Sequence, residues 1–167
     1  MDIVNSRSNN IPLRVGGKNM WERINLPKFI CERFIGITIP IDNIIHIISY
    51  QGVHTINLSK PDIVVSDESF PEGKGLYDFE TNILSYNNNR FRVIGLNGGK
   101  PIFENSKGEQ LIIDTKNEVI KINNIHGDLE FCYRYDDFSG DWIAATFSEN
   151  GDFLLLLSPY DIYAFRR

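Results

Sequence analysis

Apolar side chains in this chain recur mainly at every second position, in short runs. Phe91 and Val93 alternate with Arg90 and Arg92, and Val53-His54-Thr55-Ile56-Asn57-Leu58 alternates in the same way. A period of two puts alternate residues on one face of a pleated strand. Residues 76–86 and 90–96 flank Asn87-Asn88-Asn89, a turn that tolerates left-handed backbone, so a hairpin is predicted there. Phe153 to Leu157 is apolar at every position, the pattern of a central strand covered on both faces. The units 102–122 and 146–165 resemble each other. Each has a Phe, a polar turn holding Gly108 or Gly151, an apolar strand, a second polar turn and an alternating strand. That pattern predicts a repeated three-strand meander; two units are too few to close a propeller, and antiparallel sheet is the expectation.

Helical signals are confined to the first third. Pro27 suits a first helical position, Phe29, Ile30 and Phe34 give an apolar face, Arg33 falls in the last turn and Gly36 is a natural stop, which predicts a helix over 27–35. In 41–50, Ile41, Ile44, Ile45 and Ile48 have helical spacing, yet β-branched residues favour strands, and the strand reading is preferred. Pro61 interrupts the following strand, residues 66–75 read as an acidic Gly/Pro loop, and residues 1–18 read as loosely packed. The expected fold is mainly β with a short N-terminal helical segment. An antiparallel meander would form a sandwich or an open, barrel-like sheet within one domain spanning 1–167.

Charge narrows the choice of partner. The chain of 167 residues carries a formal net charge of −5, with a pI near 5.2. Arg7, Arg14, Lys18, Arg23, Lys28 and Arg33 make residues 1–35 net +3, leaving −8 for the remainder. A nucleic-acid binder needs a basic face to displace counterions, so nucleic acid is not the expected partner. An acidic surface serves either solubility or the attraction of a basic partner. The opening residues lack a basic start followed by an apolar core, and no apolar run approaches the ~20 residues that span a bilayer. A cytoplasmic protein without a membrane partner is expected. Cys31 and Cys132 lack metal-ligand spacing and are expected as buried thiols, although one bridge between them is compatible with the sequence.

Catalytic chemistry finds little support. His46, His54 and His126 show no zinc-site spacing; His46 and His54 read as sheet residues and His126 as part of a turn. A dispersed active site using these three is the enzymatic alternative. No nucleophile motif occurs, and Gly95-Leu96-Asn97-Gly98-Gly99-Lys100 is followed by Pro101 where a phosphate loop requires a hydroxyl residue. A hairpin turn accounts for it better, and no cofactor or metal is expected.

Residues 126–141 (HGDLEFCYRYDDFSGD) set Asp128, Glu130, Asp136, Asp137 and Asp141 against the single base Arg134, with Phe131, Tyr133 and Tyr135 interleaved. Aromatic anchors among carboxylates suit the grip on a basic protein, with Tyr133 and Tyr135 as the contacts. The competing reading is a strand whose aromatics face the core. Asp67, Glu68 and Glu72 form a second acidic candidate. Small size, acidic balance, β-meander and missing active site resemble the bacterial immunity proteins encoded beside secreted or contact-delivered toxins. Over 27–60, a helix, then Gly36-Ile37-Thr38-Ile39-Pro40, an Ile-rich segment and Tyr50-Gln51-Gly52 resemble the SUKH immunity superfamily, whose pattern has a second helix after the Gly–Pro step. Either resemblance implies neutralisation of a toxin, often a basic nuclease, by occlusion of its active site. The alternative is a β-module that binds carbohydrate or another ligand within a larger assembly, with Trp21 or Trp142 stacking on sugar.

Overall fold

A computed structural model describes residues 20–28, 33–136 and 141–167. Its strands are β1 (Glu22–Ile24), β2 (Phe34–Thr38), β3 (Ile44–Ser49), β4 (Gly52–Asn57), β5 (Lys60–Asp67), β6 (Tyr77–Asp78), β7 (Ile83–Tyr86), β8 (Asn89–Gly95), β9 (Gln110–Asp114), β10 (Val119–Asn123), β11 (Leu129–Arg134), β12 (Ala144–Phe147), β13 (Phe153–Leu157) and β14 (Ile162–Arg166). Every pairing between them is antiparallel. They form three sheets, of order β5-β4-β3-β2-β8-β7-β6, β11-β10-β9 and β1-β14-β13-β12. The mainly-β, sandwich-like class expected from periodicity is the class found.

Alternation along β13 explains how the sheets stack. Leu154 and Leu156 join Ile120, Ile122, Phe131 and Tyr133 of the three-stranded sheet in one core. Phe153, Leu155 and Leu157 join Ile37, Ile45, Ile47 and Ile56 of the seven-stranded sheet in another. The four-stranded sheet is therefore a middle layer, and β13 is its doubly buried strand, as its unbroken apolar run requires. A third core lies on the far face of the seven-stranded sheet, where Ile35, Ile48, Val53, Tyr77, Leu84 and Val93 pack together. There the β7–β8 end folds back over β3 and β4. The Phe91 ring lies 4.5 Å from that of His46, and the Tyr86 hydroxyl donates to Asp67 at 3.2 Å.

Several expectations are refined or overturned. The Ile-rich segment 41–50 contains strand β3, so the second helix implied by the SUKH resemblance is a strand. Of the helix predicted over 27–35, residues 29–32 lie outside those described, and Phe34 and Ile35 belong to β2. Gly36 is no helix stop. It sits opposite Gly95, where β2 and β8 approach so closely that a Cβ on Gly36 would lie 2.6 Å from Val93 Cγ1. Pro61 does not end the strand region, because β5 continues to Asp67 on the outside edge of its sheet, where a missing N–H is tolerated. The hairpin at Asn87-Asn88 is present, with both residues left-handed at φ 48° and 60°. The two meander units are unequal: 146–165 contributes to three strands, whereas 102–122 contributes two and a single bridge, Glu104 to Gln110.

Candidate protein-docking surface

The first sequence candidate, 126–141, is dispersed by the fold. β11 alternates, and its inward set is aromatic: Phe131 is 1% exposed, Tyr133 0%, and Tyr135, just beyond the strand, 2%. Tyr133 packs edge-on to Phe165 at 4.9 Å. Tyr133 and Tyr135 are thus core residues, which removes them as docking anchors; burial against the middle layer outweighs their value at a surface. The acids point to separate places. Glu130 reaches Arg167, which also pairs with the buried Glu109. Burial and the neighbouring Glu109 raise the Glu130 pKa. Burial also works against the Glu109 anion, but hydrogen bonds from Asn105 and Arg167 prevail and hold its carboxyl below the usual range. Asp141 is paired with Arg33, and Asp136 adds negative charge beside Asp161. Asp128 stays exposed in the turn built by Asn124, and Asp137 lies outside the described residues.

The second candidate lies in a segment that is mostly exposed. Asp67 ends β5 and accepts from Tyr86 and from the Ser69 N–H. Glu68 and Glu72 are exposed on either side of Phe70, itself 37% exposed. A short 3-10 turn, Pro71–Gly73, carries the chain back over the sheet. Glu72 and Gly73 are both left-handed, and Gly73 is buried where a Cβ would crowd Tyr77 and Ile48. β6 then presents Asp78, and Phe79 follows with 62% of its surface open, its ring edge-on to Tyr77 at 5.7 Å. The Asp78 carboxylate accepts from the Thr81 hydroxyl and from the N–H groups of Glu80 and Thr81, which lowers its pKa and fixes its charge in place. Over 66–80 there are five acids, Asp67, Glu68, Glu72, Asp78 and Glu80, and one base, Lys74. Sequence reading found the first three and missed Phe70, Phe79, Asp78 and Glu80. The same mixture of rings and carboxylates was there to be read, but no period distinguishes an exposed ring from a buried one in so short a loop.

The histidines stay apart. His46 Nδ1 is hydrogen-bonded with the Thr55 hydroxyl at 2.8 Å, and burial lowers its pKa to about 4. His54 lies between Ser49 at 2.9 Å and Ser66 at 2.8 Å, with burial again favouring the neutral ring against the opposing charge of Glu68. Both nitrogens end on hydroxyls, and the Ser49 hydroxyl lies on a residue with no exposed surface. His126 is exposed in its turn. Among the described residues no three His, Cys, Asp or Glu side chains are grouped to hold a metal ion. Cys132 is a buried free thiol whose pKa burial raises, so it lacks the thiolate character of a nucleophile. Trp21 is buried at 1% exposure, which removes it as a ring for stacking on sugar, and Trp142 is half-buried against the second core.

No protein-family model matches the chain, and no curated protein is similar to it at a significant level. Among the described residues no helix is long and apolar enough to cross a membrane.

Proposed function

We propose that this protein binds and neutralises a basic protein, a secreted or contact-delivered toxin domain, by covering the toxin's active site with the surface formed by residues 67–80. One observation carries the reading: Phe70 and Phe79 stand open to solvent among five carboxylates and a single lysine. Rings of this kind supply the buried area of an interface, and the surrounding charge speeds encounter with a basic partner.

The open reading frame beside that of this chain is expected to encode a large exported protein with a basic terminal domain, which supplies the partner for the test. Binding kinetics should show an association rate that falls steeply as salt rises. Glu68→Lys with Glu72→Lys should slow association about tenfold or more, whereas Phe79→Ser should chiefly speed dissociation, by about thirtyfold for an anchor worth ~2 kcal/mol. A wild-type chain that neither binds this domain nor protects cells from it would overturn the proposal.

A further inference from the structure

Two carboxylates and one cation meet in the corner where Arg167 follows β14. Glu109, which leads into β9, is 3% exposed, whereas Glu130 of β11 is half-buried. Gln110 and Leu129 flank Asn123 on its two sides, so the acids approach across one end of β10. Arg167 reaches both: its Nη1 pairs with Glu109 Oε1, and its Nη2 lies 3.7 Å from Glu130 Oε2. Its guanidinium also lies 5.7 Å from the centre of the Trp21 ring. Among the described residues no second cation pairs with either acid. The charges on the adjoining turns are Lys107 and Asp152, paired with each other, and Asp128, held by Asn124.

One guanidinium leaves an excess negative charge on two ionised carboxylates, and like charges in contact resist ionising together. A proton held between the acids removes that excess and supplies the hydrogen bond that links Glu130 to Glu109. Burial opposes the Glu109 anion, yet Asn105 donates to its Oε2 at 2.6 Å and Arg167 holds its Oε1, so it keeps its charge. The proton therefore falls on Glu130. Burial and then Glu109 raise its pKa, against the smaller opposing pulls of Arg167 and Asn124.

We propose that this corner is a proton-operated latch: Glu130 donates its acid proton to Glu109, and loss of that proton turns Glu130 out to water and frees the three-stranded sheet from one of its ties to the middle layer. The latch is separate from residues 67–80 and does not depend on the toxin-binding reading. Because the folded value for Glu130 lies above the unfolded one, its contribution is complete below the ordinary glutamate range and is lost as pH rises through the folded value.

The test follows the glutamate side-chain carboxyls of the full chain by ¹³C NMR from acid to mildly alkaline pH. Glu130 should titrate above the ordinary glutamate range and Glu109 below it, and each signal should register the other's step. Glu109→Gln leaves Glu130 facing Arg167 without a neighbouring anion, so its midpoint should move down. Glu130→Gln keeps a donor to Glu109 and should remove the upper step. In a Trp142→Phe background, Trp21 emission should step at the Glu130 midpoint, and the step should vanish in Glu130→Gln. The wild-type titration tests the assignment on its own, whether or not a variant folds. A Glu130 midpoint at or below the ordinary range, an unmoved midpoint in Glu109→Gln, or a Trp21 step that survives Glu130→Gln would each overturn the proposal.

Discussion

The His46 imidazole is held neutral between Thr55 and the edges of the Phe91 and Tyr86 rings, with its pKa lowered by burial from 6.5 to about 4. Because the folded value lies below the unfolded one, the stabilisation is complete above pH 6.5 and is lost as pH falls through about 4, a change on the order of 3 kcal/mol. Urea midpoints measured from pH 7 to pH 4 should fall, and the slope should be shallower in His46→Gln. Parallel slopes would assign the acid sensitivity to other groups. Arg167 makes a second residue-scale case. It neutralises Glu109, which is 3% exposed and lies against Glu130. Arg167→Ala leaves that carboxylate buried without its cation and is expected to cost about 3 kcal/mol in chemical denaturation. At this scale the sequence was a partial guide: His46 reads correctly as a sheet residue from its isoleucine neighbours, whereas nothing local couples Glu109 to a partner 58 positions away.

At the scale of elements, the crossing of β2 and β8 is set by glycine on both strands. A Cβ on Gly95 would lie 2.4 Å from the Ile35 carbonyl oxygen and 2.7 Å from Gly36 Cα, and its φ is +153°. On Gly36 the nearest atom would be a valine methyl, which a rotamer change can move, followed by the Ile94 carbonyl oxygen at 3.0 Å. Both alanine variants should be destabilised in urea unfolding, Gly95→Ala by at least about 3 kcal/mol and Gly36→Ala by less. Gly36 shows why some elements were illegible in the sequence. A glycine after an apolar run reads as a helix stop, and only the opposing strand, 59 residues on, reveals a close approach. Segment 126–135 shows the complementary difficulty. Alternation correctly predicted a strand with Tyr133 and Tyr135 on one face, but alternation alone does not say which face is covered. The covering side chain, Phe165, comes from a different sheet.

For the molecule as a whole, the middle layer couples the two larger cores. Leu155 and Leu156 are neighbours in sequence and point into opposite cores. Each Leu→Ala change should cost about 3 kcal/mol. Trp21 belongs to one core and Trp142 packs on the other, so Trp142→Phe and Trp21→Phe backgrounds report on the two separately. Either leucine variant should move both fluorescence transitions together, and transitions that separate would show that the layers unfold independently. The strand that joins these cores also follows every strand of both outer sheets in the chain. Both outer sheets precede residues 153–157, so a chain that lacks those residues displays on each sheet an oily face with nothing to rest against. A chain halted after Gly151 should be cut rapidly by protease throughout its length, and the nascent protein should depend on chaperone shelter until those five residues emerge.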